Sequence, residues 1–219
     1  KTDLRLPKEP YHIECFDNSN IQGSNPVAAC VVFKNGKPSK KEYRHYNIKT
    51  VQGPDDFASM EEVVYRRYKR LLEEEAPLPQ LIVIDGGKGQ LSSAVKSLDL
   101  LELRGKISII GIAKRLEEIY FPEDSIPLYI DKRSESLKIL QRARDEAHRF
   151  GITFHRQKRS KGSLNSELDQ IDGIGPATRD KLLVHFKSLK RIKKASKEEL
   201  EKILGKQNGA KIYIGLHSK

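Results

Sequence analysis

The stretch LIVIDGGKGQL, residues 81–91, decides how the rest of the sequence is interpreted. Its first four residues are apolar without a polar break, which is typical of a strand buried on both faces of a sheet. Asp85 ends this strand, and a glycine-rich turn leads into an amphipathic run that predicts a helix over 90–103. α/β proteins place charged groups at the carboxyl edge of a sheet in this way. Asp85 is therefore a candidate site residue, and capping of the next helix is the alternative.

The composition excludes several classes of protein. The chain has 219 residues, 37% of them hydrophobic, which is enough for one large and one small domain. No apolar run could span a bilayer and no signal peptide is visible, so we expect a cytoplasmic protein without a membrane partner. Cys15 and Cys30 are too few for a disulfide framework. Because the first residue is Lys1 rather than Met, we expect a fragment of a longer protein.

The positive charge is concentrated near the end of the chain. The net charge is +11, and residues 158–219 contain 15 Lys and Arg against 7 Asp and Glu. Residues 1–157 contain 26 against 23, so they are nearly balanced. A basic excess confined to one segment favours a polyanionic partner, most simply nucleic acid. A solvated basic surface is the alternative.

The order of predicted elements indicates a mixed α/β domain. Apolar alternation over 12–16 predicts a first strand that ends at Asp17, and Asn35-Gly36 is a strong hairpin signal after a second strand. A third strand over 42–48 would complete an antiparallel meander. The later elements are helices over 55–75, 90–103 and 135–157, a buried strand over 107–113, and a hairpin that joins 118–121 to 128–130.

The sequence predicts two domains. Residues 1–157 carry the α/β pattern, and KRSKGS within 158–165 predicts a basic flexible linker. Residues 166–219 are helical throughout, with short loops.

Two glycine-containing turns in the helical domain are candidate DNA-binding elements. Gly173, Ile174 and Gly175 lie between two predicted helices, where glycines let backbone amides approach a phosphate closely. A weaker copy contains Lys206 and Gly209. The alternative is a pair of generic helix–helix turns.

Four polar residues could share a metal site. If the strands that end at Asp17 and Asp85 are neighbours, their carboxylates lie close enough to share Mg²⁺, which prefers oxygen ligands. Asp56, at the start of a helix, and His148, on the last long helix, could reach the same edge. Such a site would serve phosphoryl displacement. Alternatively, the aspartates cap a turn and a helix, and the histidine packs in the core.

Lys88 invites comparison with a phosphate-binding loop. A P-loop requires Ser or Thr after its lysine, and Gly89 stands there instead, which argues against ATP hydrolysis. Lys88 could still hold a backbone phosphate, and a plain surface lysine is the alternative.

Four strings of sequence together resemble one family. They are IECFDNSNIQG (13–23), PDDFASM (54–60), LIVIDGGKGQL (81–91) and RDEAHRF (144–150), followed by the helix-hairpin-helix pair. In this order they are similar to the C-terminal half of the UvrC family, the nuclease subunit of the bacterial excinuclease. The resemblance covers essentially the whole chain. It implies an α/β fold with an RNase H-like mixed sheet, followed by a small all-α tandem helix-hairpin-helix domain.

The resemblance also implies an activity and its residues. The expected reaction is the 5′ incision of nucleotide excision repair, made with Mg²⁺ or Mn²⁺ on damaged double-stranded DNA in a complex with UvrB. Asp17, Asp85 and His148 would bind the metal, Lys88 would support the phosphate, and Asp56 is preferred over its neighbour as a further catalytic residue. The second hairpin departs from the family pattern at 206–208.

Two other functions stay open at this point. One is a non-catalytic DNA-binding module in which the RNase H-like domain is only a scaffold. The other is a nuclease for RNA/DNA hybrids, which the fold suits equally well. The helix-hairpin-helix domain favours DNA, and a comparison of substrates would decide.

Overall fold

The computed structural model describes residues 1–19, 27–51, 53, 55–113, 117–169 and 174–217. The chain divides into two compact units, Lys1–His155 and Arg156–Lys219. Each unit is considered by itself.

The described strands of the first unit form one mixed sheet. Its central strand pairs in parallel with both of its neighbours, and the other strand pairings are antiparallel. The strands are β1 (His12–Ser19), β2 (Val27–Lys34), β3 (Lys37–Pro38), β4 (Arg44–Asn47), β5 (Leu81–Asp85), β6 (Ser108–Ala113) and β7 (Glu118–Tyr120). Their order is β3-β2-β1-β5-β6-β7, with β4 also paired to β2. The predicted central strand is confirmed, and all five residues of β5 are buried.

Helices cover the sheet on both faces. α1 (Asp56–Glu73) and α2 (Lys88–Leu100) pack on the face that carries Phe16, Ile82 and Ile84. The first part of α3 (Glu135–Asp169) packs on the other face, against Cys15 and Val83. Because successive strand residues point to opposite faces, odd-numbered positions of β1 and β5 face α3 and even-numbered positions face α1 and α2. The RNase H-like mixed sheet with flanking helices agrees with the prediction.

The third predicted strand, over 42–48, is present as the shorter β4, and an additional two-residue strand, β3, precedes it. The predicted Asn35-Gly36 turn is present, with φ of 51° and 72°, as a two-residue hairpin requires. The chain that follows first pairs with β2 at β3, then makes a 3₁₀ turn at Lys40–Glu42, and pairs with β2 again at β4. Pro38 explains why β3 ends before β4 begins, because proline has no N–H to donate to a sheet. Of the predicted second hairpin, β7 and a single bridge between Ile119 and Leu128 are present.

The third helix is longer than predicted. The sequence predicts an end near Gln157, but α3 continues to Asp169 and so runs through the predicted linker at 158–165. That segment contains one glycine and no proline, and a single glycine costs a helix only about 1 kcal/mol. The prediction that the helix ends there is therefore wrong. In the described residues, no helix is both long enough and apolar enough to cross a membrane.

The second unit is helical, as predicted. Its described helices after α3 are α4 (Pro176–Phe186), α5 (Leu189–Lys194), α6 (Lys197–Leu204) and α7 (Lys206–His217). Pro176 occupies the first turn of α4, and Ser196 and Glu199 form a reciprocal capping box on α6. The small apolar core includes Leu168, Leu182, Phe186, Ile192, Leu200 and Ile212.

Candidate metal centre

Two buried carboxylates meet at the carboxyl edge of the sheet. β1 and β5 are parallel neighbours in which Phe16 pairs with Ile84, so the next residue of each strand, Asp17 and Asp85, lies at the same level. Both positions are odd-numbered and therefore share the face that α3 covers. Their exposed fractions are only 2% and 4%.

His148 completes the group from the opposite side. Ala143 and Ala147 of α3 pack into the apolar layer against the sheet, which brings the next residue, His148, to the sheet edge. Its Nδ1 lies 3.1 Å from Oδ2 of Asp17. One ligand atom from each of Asp17, Asp85 and His148 lies within 4.8 Å of the others. The histidine side chain is 46% exposed, so the group is open to solvent on that side.

The donor atoms of this group suit a hard divalent cation. Two carboxylates held together away from water repel each other, and a cation between them offsets that repulsion. Carboxylate oxygens are typical ligands of Mg²⁺ and Mn²⁺. The His148 tautomer that donates from Nδ1 to Asp17 leaves the Nε2 lone pair as an acceptor. The three residues therefore fit the metal site that the sequence predicts.

Asp56 is not among the described residues whose ligand atoms form this group. Asp55 is the N-cap of α1, and its Oδ1 accepts hydrogen bonds of 3.0 Å from the backbone N–H of Phe57 and of Ala58. Asp56 is the first helical residue, and its backbone carbonyl accepts a hydrogen bond of 2.8 Å from Asn18 Nδ2. α1 packs on the face of the sheet opposite to that of Asp17 and Asp85, and a catalytic role for Asp56 remains a prediction.

Lys88 contacts a different part of the first unit. It is the first residue of α2, and its Nζ donates a hydrogen bond of 2.6 Å to the carbonyl of Ser125. The same ammonium lies 5.2 Å from the centre of the Tyr120 ring. A phosphate-binding role for Lys88 would require its side chain to leave these contacts, and it remains a prediction.

The first predicted DNA-binding turn is described only in part. Gly173 lies outside the described residues. Ile174 is buried in the core of the second unit, whereas Gly175 is exposed and is the N-cap of α4. Among the described residues, and apart from the chain neighbours of Gly175, no atom lies within 4 Å of the place where a Cβ on Gly175 would stand.

The second predicted turn lies at Gly205, within the predicted stretch 203–211. Gly205, with φ of 85°, joins α6 to α7, and Lys206 is already the exposed first residue of α7. Gly209 is buried inside α7, where a Cβ would stand 2.5 Å from the backbone nitrogen of Glu201. Gly209 therefore allows α6 and α7 to pack closely. It lies inside a helix rather than in an exposed turn.

One buried ionic group was not predicted from the sequence. Glu14 on β1 is fully buried and accepts hydrogen bonds from Arg67 Nε at 3.1 Å and from Tyr68 Oη at 3.0 Å. Burial alone would raise the pKa of Glu14, but hydrogen bonds from His12 and Arg67 bring that pKa down to about 2. The sequence signal for this group is a glutamate inside an otherwise apolar strand. No local pattern identifies Arg67 as its partner.

A second set of contacts anchors the part of α3 that carries His148. Tyr43 Oη donates a hydrogen bond of 3.1 Å to Glu146 Oε1. The ring of His45 on β4 stacks on the ring of Phe150, with 3.6 Å between their centres. These partners are about a hundred residues apart in the chain, so no local pattern predicts them.

Sequence comparison identifies two known domains in the chain. Residues 1–152 match the profile of the UvrC RNase H endonuclease domain. Residues 166–218 match the profile of a SAM-like helix-hairpin-helix tandem.

Curated relatives match over nearly the whole chain. UvrABC system protein C of Christiangramia forsetii is 71% identical over 219 residues, which are 100% of this chain and 37% of that protein. The protein of the same name from Flavobacterium johnsoniae is 70% identical over 210 residues, 96% of this chain and 35% of that protein. The chain thus spans about a third of the length of these relatives.

A solved structure shows a weaker likeness. Ciona intestinalis endonuclease V, crystallised with a 24mer DNA that contains an inosine followed by a ribo-adenosine, has a TM-score of 0.37 and 20% identity. The match covers 64% of this chain and 58% of that one.

Proposed function

The chain belongs to the UvrC family, and from this premise we propose that it is a divalent-metal-dependent DNA endonuclease that makes the 5′ incision of nucleotide excision repair. Its substrate would be damaged double-stranded DNA in a complex with UvrB, in the cytoplasm. The observation that carries the proposal is the convergence of Asp17, Asp85 and His148 at one edge of the sheet.

The three side chains have distinct parts in this proposal. Asp17 and Asp85 would hold Mg²⁺ or Mn²⁺ with His148, and the bound ion would supply positive charge at the phosphate and help to activate a water. Asp17 also orients the His148 ring through the contact at Nδ1. Both carboxylates are fixed in position because they stand at the buried ends of β1 and β5, and these two strands are hydrogen-bonded to each other in parallel. Asp56 stays a candidate for a supporting role.

The helical unit would bind the DNA backbone. Exposed basic residues lie on α5 and at the start of α7, including Arg191, Lys193, Lys194 and Lys206. Such side chains contact phosphates without reading sequence, and their binding weakens as salt rises. The N-terminus of α4 at Gly175 would offer further backbone amides to a phosphate.

The deciding experiment is incision of a lesion-containing duplex that is already nicked 3′ to the damage. Full-length protein, UvrB and Mg²⁺ are supplied, and wild type is compared with Asp85→Ala. The matched control is Asp99→Ala, an exposed aspartate of α2 in the same unit. We expect the 5′ cut to be lost in Asp85→Ala only. Unchanged cutting would contradict the proposal and leave the domain as a DNA-binding scaffold.

A substrate comparison addresses the remaining alternative. The same proteins are given an RNA/DNA hybrid and a DNA duplex of equal sequence. We expect cutting of the damaged DNA and none of the hybrid. Preferred cutting of the hybrid would contradict the assignment to excision repair while leaving the metal centre in place.

A further inference from the structure

Phe57 is an exposed aromatic residue at the start of α1. It is the second residue of α1, and 55% of it is exposed. It is not among the described residues that form or pack against the apolar layer between α1, α2 and the sheet. The burial of apolar surface in the core therefore does not account for an aromatic residue at this position.

The ring is nevertheless held in place. A Cβ on Gly89 would stand 2.5 Å from Cε1 and 2.8 Å from Cζ of Phe57, so the ring occupies the space that any larger residue at 89 would fill. The backbone N–H of Phe57 donates a hydrogen bond to the Asp55 cap. One side of the ring is thus closed by the first turn of α2, and the exposed remainder is a preorganised apolar surface. This contact also explains the glycine after Lys88, which no P-loop accounts for.

Two short connections link Phe57 to the strands that end at Asp17 and Asp85. Asn18, which follows Asp17, binds the carbonyl of Asp56 at 2.8 Å, directly before Phe57. Gly89, against which the ring packs, lies four residues after Asp85. Both connections are short, so Phe57 stands at the same edge of the sheet as the three candidate ligands, on the side of α1 and α2.

We propose that Phe57 is a stacking platform for an unpaired or locally unstacked DNA base next to the phosphate that is cut. Every base has an apolar face, and aromatic side chains bind bases by stacking without preference for sequence. A ring fixed in advance loses little conformational freedom when a base binds to it. The inference rests on the proposed function, because it takes DNA as the ligand and places the scissile phosphate at Asp17 and Asp85.

The direct test uses fluorescence. The chain contains no tryptophan, so Phe57→Trp introduces a single reporter at the proposed platform. The matched control is Tyr11→Trp, an equally exposed aromatic position just before β1, at the opposite end of that strand. The probe is a labelled duplex with a short single-stranded gap, whose binding is followed independently by anisotropy. We expect saturation with this DNA to quench the emission of Phe57→Trp and to leave that of Tyr11→Trp unchanged.

Base-by-base substitution locates the stacked nucleotide. Abasic sites are placed in turn along the gapped strand, and the quenching of Phe57→Trp is measured at saturation for each. We expect one abasic position to restore emission. Equal quenching at every position would show general proximity to DNA and would overturn the stacking role.

Incision kinetics give the second readout. Phe57→Leu keeps an apolar side chain without a ring, and we expect it to lower the specificity constant of the 5′ cut by roughly 5- to 100-fold, the cost of losing one stacked base. Phe57→Tyr should retain cutting. Gly89→Ala should lower the specificity constant as Phe57→Leu does, because the added methyl group displaces the ring. The control is Leu100→Ala, which removes an exposed apolar side chain from α2 and should not alter the rate. Melting temperatures of all variants exclude unfolding as the cause.

The outcomes separate this inference from the proposed function. DNA binding without quenching of Phe57→Trp overturns the platform and leaves the nuclease assignment intact. Quenching at one base together with unchanged 5′ cutting in Asp85→Ala supports base stacking on Phe57 but contradicts the assigned active site, and with it the place of the platform beside the phosphate that is cut. Failure of the protein to bind the gapped duplex at all contradicts both.

Discussion

Two buried carboxylates on β1 have opposite surroundings. Glu14 faces α1, where it is bound by Arg67 and by the hydroxyl of Tyr68. Asp17 faces α3, where it lies beside a second carboxylate, Asp85, and contacts the imidazole of His148. They belong to one strand and are equally inaccessible to water.

The difference shows how burial can serve either stability or function. Around Glu14 the fold itself supplies the opposite charge, so the carboxylate is satisfied before any ligand arrives. At Asp17 the fold adds a like charge from the neighbouring strand, an arrangement that a cation would stabilise. We therefore expect substitutions at Glu14 to affect folding and substitutions at Asp17 to affect activity.

Asp17→Asn is expected to have the largest effect on activity. Loss of one anionic ligand should lower the rate of the 5′ cut by more than about 100-fold. Substitution of a residue that only hydrogen-bonds to a metal ligand already costs up to about 100-fold. Stability should not fall, because the substitution removes one of two neighbouring negative charges. Incision assays, Mn²⁺ titration by calorimetry and urea unfolding measure the three quantities. A large loss of stability would show that Asp17 resembles Glu14.

His148→Ala is expected to abolish incision while DNA binding stays nearly unchanged. The side chain is half exposed and contributes to the site rather than to the apolar layer, which Ala147 and Phe150 form. Anisotropy with the gapped duplex measures binding, and the nicked lesion substrate measures cutting. An equal loss of both would mean that the histidine is structural.

Glu14→Gln should destabilise the first unit without removing its activity. It leaves the buried Arg67 without its carboxylate, and breaking one side of a buried ion pair costs about 3–5 kcal/mol. Urea unfolding measures this loss, and incision is assayed at a temperature where the variant is folded. Loss of cutting in folded Glu14→Gln would remove the distinction between the two carboxylates.

The pH dependence of stability sharpens the comparison further. The pKa of Glu14 is lowered from its ordinary 4.5 to about 2, so its contribution is fully present above pH 4.5 and is lost as the pH falls toward 2. The difference in unfolding free energy between wild type and Glu14→Gln should therefore shrink over that interval. Urea unfolding at a series of pH values measures it. If the difference in unfolding free energy did not change with pH, Glu14 would stabilise the protein by packing rather than by its charge.

The sequence alone determined the elements and part of the site. The apolar run at 81–84, the Asn35-Gly36 turn and the helical spacing of apolar residues are local patterns, and each constrains the backbone where it occurs. Asp85 was identifiable because it ends an uninterrupted buried strand. The sequence also predicts that Asp17 and His148 could reach the same edge, and the family resemblance implies all three residues.

Only the tertiary structure decided which side chains meet. His148 and Asp17 are 131 residues apart and Arg67 and Glu14 are 53 apart, so their contacts depend on how helices pack on the sheet. Packing also set the helix that begins at Asp56 on the opposite face of the sheet and buried Gly209 between two helices. A local pattern fixes which way a side chain points from its own element, whereas its partner is fixed by the face on which the next element packs.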